Sequence, residues 1–138
     1  MDVVAEIRIA RRFGVTHCGV SARPSPALAE LAAEFGLASD PGSYSEIDAA
    51  AARRLAELVL SEDLAYNAEI MPADRAADLA GRFLAQFGTE GVRYYTNGTF
   101  HESHGGAGWE PVTAATFDTG VLVIGPRGSG CLWVEDED

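Results

Sequence analysis

The chain of 138 residues sets 21 Asp and Glu against 10 basic residues, every one of them Arg, for a formal charge of −11. That balance excludes nucleic-acid backbone and anionic membrane as direct partners, since both select positive surface, and it favours encounter with basic proteins. A hydrophobic fraction of 47% excludes general disorder, and the length suffices to bury a core without staples.

The opening residues, Met1 to Glu6, lack both a basic stretch and a continuous apolar run of the kind a secretory leader needs. No apolar run approaches the roughly 18 residues that span a bilayer. Cys18 and Cys131 are far apart in sequence and read as small apolar fillers in a reducing compartment. A cytoplasmic protein is the expectation.

Val3, Ile7 and Ala10 recur at spacings of four and three and predict a helix closed by Phe13-Gly14, although Val3, Ala5, Ile7 and Ile9 also fit a strand. Val15 to Val20 reads as a short extended piece. A second helix starts near Pro24 or Ser25, carries Leu28, Leu31, Ala32 and Phe35 on one face, and ends at Gly36. Ser39 to Ser43 is loop chemistry. The third helix begins at Ser45 or Ile47 and turns Ile47, Ala51, Leu55, Leu58 and Val59 inward. After a linker or short strand from Leu64 to Met71, Pro72 opens a fourth helix reaching Phe87, with Ala76, Leu79, Ala80, Phe83 and Phe87 as its apolar stripe.

From Gly91 onward the pattern is that of strands. Val92 to Thr96 and Thr99 to Glu102 flank Asn97-Gly98, a two-residue hairpin signal. Trp109 to Val112 suits a brief strand that Pro111 confines to an edge. Thr119 to Ile124 and Cys131 to Glu135 form a second hairpin around a Gly-rich connection. The predicted fold is therefore an α+β domain over residues 1–138. Three to four N-terminal helices (about 1–90) pack on one face of a three- to four-stranded, mainly antiparallel C-terminal sheet (about 91–138).

Candidate chemistry is sparse. His101, Glu102 and His104 could converge with Asp118 if the chain turns at Ser103, which would suit a small metal-dependent hydrolase with His101 and His104 as metal ligands. On a continuing strand the two histidines point apart, and the usual zinc spacings are missing. His17-Cys18 lacks a base in reach of the thiol, because neighbours on an extended chain face opposite ways. Neither glycine cluster, Gly105 to Gly108 or Gly125 to Gly130, matches a nucleotide-cradling motif. No cofactor is expected.

The C-terminal residues Glu135, Asp136, Glu137 and Asp138 follow directly on an apolar strand, so their charge is presented from a rigid support. Together with Tyr94, Tyr95 and Glu102 they form the expected partner-binding set. The function expected from this reading is a small acidic protein-binding module for a basic protein surface. An immunity- or antitoxin-type inhibitor of a nuclease toxin would fit, by analogy of charge and size. The alternatives are the hydrolase just described and a homo-oligomeric structural module joined through an exposed strand edge, for which a homodimer is the simplest form.

Overall fold

The computed structural model describes residues 2–97, 112–115 and 117–137. Its first helix, α1 (Val3–Ala10), resolves the ambiguous opening in favour of the helical period. Asp2 accepts a hydrogen bond from the Ala5 amide at 2.9 Å, satisfying a donor that the first turn leaves open, and Val3 and Ile7 turn inward. The elements that follow are β1 (Val15–Ser21), α2 (Leu28–Glu34), a 3-10 turn (Pro41–Ser43), β2 (Ser45–Ile47) and α3 (Ala49–Ser61). They are succeeded by α4 (Ala73–Ala85), β3 (Arg93–Thr96), β4 (Phe117–Gly125) and β5 (Gly128–Asp136).

These elements make an α+β fold in which helices pack against one antiparallel sheet of order β1-β5-β4-β3-β2. Among the described residues the sheet has five strands, two of which precede residue 90, so the expected division into a helical first part and a sheet-forming second part does not hold. The extended piece at Val15 becomes a full edge strand because β5 pairs with it from Val15↔Glu135 to Ser21↔Ser129. The segment at Ser45, read as the start of a helix, is instead β2. Asp48 then caps α3 by accepting from the Ala51 amide at 2.7 Å.

The helices also occupy both faces of the sheet, whereas the sequence suggested one. Strand alternation sends Val121, Val123, Leu132 and Val134 to one side, where they meet α1, α3 and α4 through Ile7, Leu55, Val59, Leu79 and Phe83. Leu122, Cys131 and Trp133 point the other way, onto Leu31 and Ala32 of α2 and onto Leu37, Tyr44 and Val112. The Tyr44 and Trp133 rings meet edge to face with centroids 5.9 Å apart. Full burial of each of the large side chains in these layers contributes about 1.5–3 kcal/mol.

Gly130 is a packing requirement of this arrangement. A methyl group there would come within 2.5 Å of the Phe87 ring, which closes over the β5 backbone just beyond α4. The Asn97-Gly98 hairpin and the strand at Trp109 lie outside the described residues. β3 itself pairs with β4 and β2.

Candidate functional site

The acidic end of β5 is not the free cluster that its sequence suggests. Asp136 is buried, 1% exposed, and forms a two-pronged ion pair with the buried Arg11: Nη2 donates to Oδ2 at 2.8 Å and Nη1 to Oδ1 at 3.1 Å. Arg11 spends two further donors on the carbonyls of Val59 and Phe13, each at 2.6 Å. One guanidinium thus joins the end of α1, the end of α3, the turn into β1 and the end of β5. Its planar fork is suited to this, since several acceptors can be met at fixed geometry.

Asp136 also accepts from the Leu64 amide at 2.8 Å. This bond fastens the end of β5 to the loop between α3 and α4. The loop is organised by a second buried carboxylate, Asp63. Its Oδ1 accepts from the Ala65 and Tyr66 amides, at 2.9 and 2.8 Å, and its Oδ2 from the Ala68 amide at 3.0 Å. Burial pushes this carboxyl upward, but the amides of Tyr66, Ala68 and Ala65, aided by the charge of Arg11, outweigh it and hold the group below the ordinary carboxylate range.

Within this braced loop Glu62 and Glu69 oppose each other in an isolated antiparallel bridge. Like charges placed directly across a bridge repel. Tyr66 stands at the tip, 66% exposed, the most exposed of the large apolar or aromatic side chains among the described residues. Glu137, exposed and adjacent to Asp136, leaves β5 beside the same loop.

The sequence-derived partner set divides accordingly. Tyr94 is buried in the core between the sheet and its three-helix side, and Asp136 is buried against Arg11, so neither is available to a partner. Alternation along β3 turns Tyr95 to the opposite face, where it is half-buried against the α2 layer. Glu135 is half-buried and pairs with His17 Nε2 across the β1–β5 seam. Glu102 and Asp138 lie outside the described residues. Two of these acids are thus engaged within the chain itself, Asp136 by Arg11 and Glu135 by His17.

For the hydrolase alternative, His101, Glu102 and His104 lie outside the described residues. Asp118 is fully buried and already engaged. Its Oδ1 accepts from Asn97 Nδ2 at 3.0 Å and from Trp133 Nε1 at 3.1 Å. Its Oδ2 accepts from Thr113 Oγ1 at 3.0 Å and from the Thr113 amide at 3.2 Å. The Val112 amide reaches both oxygens, at 3.2 and 3.1 Å. A carboxylate so occupied ties residues 112–113 to β4 and β5 and has little capacity left for a metal or a substrate proton. Among the described residues no group of three His, Cys, Asp or Glu is placed to hold a metal ion.

Both cysteines are buried and unpaired by disulfide, as expected of core fillers. They lie on adjacent strands but on opposite faces, since Cys18 stands across from Leu132 and Cys131 across from Gly19. Burial pushes the Cys18 thiol up to about 12 and the Cys131 thiol well above its ordinary value. Neither has the thiolate character that a nucleophile requires. Among the described residues no helix is long and apolar enough to cross a membrane.

No protein-family model, curated protein or solved structure matches this chain. The site therefore rests on its own geometry. Arg11, Asp63 and Tyr66 escaped the sequence reading, because nothing in their spacing announces a contact between residues 11, 63 and 136.

Proposed function

We propose that the chain is a small protein-binding module that presents a braced acidic loop to a basic protein surface. The observation that carries this reading is the Glu62–Glu69 bridge with Tyr66 at its tip, held in place from inside by Asp63 and Asp136. The two facing glutamates repel each other in isolation, and an Arg or Lys from a partner placed between them removes that repulsion. A tyrosine whose backbone is already held by Asp63 supplies apolar contact area beside them. Glu137 adds charge at the same end of the molecule.

An immunity- or antitoxin-type inhibitor is the sharper form of this proposal. A nuclease toxin has a positive cleft for its nucleic-acid substrate, and an acidic loop seated there would block it sterically and electrostatically without chemistry of its own. Charge and size support this form.

The test is affinity capture on the immobilised chain at low and moderate salt, from a lysate of the source cell, repeated with Glu62→Gln/Glu69→Gln and with Tyr66→Ala. A single basic protein retained at stoichiometric ratio by the parent chain and lost with both variants is the expected result. A salt-labile mixture, or a partner retained equally by the variants, would overturn the proposal.

A further inference from the structure

Among the described residues the one histidine is His17, and it stands on β1, the edge strand whose described neighbour in the sheet is β5. The register sets it opposite Trp133, on the α2 side of the sheet. Its Nε2 reaches Glu135, one pair further along, the residue opposite Val15. The two side chains are 23% and 21% exposed. That leaves them open to proton exchange with water, while solvent screens their attraction only in part.

Glu135 has a second neighbour. The β4–β5 register places Asp118 directly opposite it, on the same face. The partners of the buried Asp118 carboxylate are an asparagine amide, an indole, a hydroxyl and backbone amides, none of them a cation. Like charges directly opposite each other in an antiparallel pair destabilise it. A charged His17 offsets that repulsion from the β1 side.

The other groups around His17 do not replace it. Glu34 of α2 is taken up by Ser21, further along the same face of β1, and the Phe35 ring covers Gly19. Cys131 donates its thiol to the His17 carbonyl, and burial keeps that thiol protonated. Arg8 of α1 brings a cation to the Cys18 carbonyl. It opposes a charge on His17, but its guanidinium is spent on that carbonyl, whereas Glu135 is in direct contact with the imidazole. With Nε2 turned to Glu135, the second proton enters at Nδ1, which makes no hydrogen bond among the described residues.

We propose that His17 and Glu135 form a proton-operated clasp on the edge strand. The protonated imidazole fastens β1 to β5 and offsets the facing carboxylates of Glu135 and Asp118; loss of its proton leaves those carboxylates without a cation beside them. Folding then favours the charged imidazole, so the folded chain binds this proton more firmly than the unfolded chain. The stability so gained is complete in mild acid and is lost as pH rises through the range in which histidine titrates, about pH 5 to 8. Asp63 acts in the opposite sense and at lower pH, so the two contributions separate. The clasp does not depend on the acidic loop or on its partner.

Urea unfolding of the full chain at several values between about pH 5 and 8 tests this, with His17→Gln and Glu135→Gln beside the parent. His101 and His104 are present in all three chains, so their titration cancels in the comparison. The expected result is that raising the pH across this range increases the unfolding constant of the parent about three- to tenfold more than that of His17→Gln. Glu135→Gln should follow His17→Gln. Should a variant fail to fold, the assigned His17 imidazole resonance decides on the parent alone: it should keep its proton to higher pH in the native chain than in the urea-unfolded one. Parallel profiles for the parent and His17→Gln overturn the proposal. So does a native imidazole that gives up its proton at the same pH as the unfolded one, or lower.

Discussion

Arg11 and Asp136 form a pair whose value lies in what happens when half of it is removed. Both are buried, and Arg11 also holds the buried Val59 carbonyl and the partly buried Phe13 carbonyl. Replacing Arg11 by Met leaves the carboxylate of Asp136 desolvated and unpaired, a loss of about 3–5 kcal/mol. Urea unfolding of Arg11→Met is expected to show that loss, and Arg11→Met/Asp136→Leu to recover part of it, because two apolar groups leave no orphaned charge. Asp63 behaves differently, since its partners are amides. Its folded-state pKa lies below the unfolded one, so the unfolded chain binds the proton more readily in acid. Its contribution is complete above the ordinary carboxylate range and is lost as pH falls through the depressed folded value. Unfolding free energy measured from neutral to acidic pH should therefore decline less steeply in Asp63→Asn than in the parent, from a lower starting point.

At the scale of elements, β1 is where the reading from sequence and the folded structure diverge most. Its residues alternate poorly, with Cys18 and Gly19 both buried and Val15 and Val20 both exposed. Gly19 is covered because the Phe35 ring lies against it, a contact that no local pattern encodes. α4 was legible because its apolar positions are set within one element: the stripe of Ala76, Leu79, Ala80 and Phe83 is buried as its spacing requires, whereas the expected start of α3 at Ser45 is taken by β2. The β4–β5 hairpin was legible for the same reason, its apolar runs being separated by a short Gly-rich turn. The acidic site was not, because it depends on Arg11 meeting Asp136 across nearly the whole chain. Tyr94 and Tyr95 show the intermediate case. Alternation correctly placed them on opposite faces, but the layer of α2 with Leu37 and Tyr44 covers the second face too. The two thiols follow from the same double cover. Thiol titration with an aromatic disulfide should find Cys18 and Cys131 unreactive in the native protein at neutral pH, and both reactive once the chain is unfolded.

For the molecule as a whole, the distribution of charge matters more than its sum. Ion pairs hold Glu6 to Arg82, Glu30 to Arg23, Glu46 to Arg93 and Glu57 to Arg53, which spreads compensation over the helical and strand surfaces. The α3–α4 loop gathers Glu62 and Glu69, and the segment through α1 and β1 concentrates Arg. The acidic end of that range is the one proposed to meet a basic partner.

The strand order carries a consequence for how the molecule comes into being. β5 lies between β1 and β4, and it is the last strand in the sequence. During synthesis β1 emerges early, yet among the described residues its strand neighbour is Gly128–Asp136, which leaves the ribosome last. Nearly the whole chain must be made before the pairing of Val15 with Glu135 can form, so closure of this sheet belongs to the slow, long-range class of folding steps. Until then Cys18, buried in the finished fold, is uncovered beside Val15 and Val20 on an unpaired strand, a ready target for chaperones.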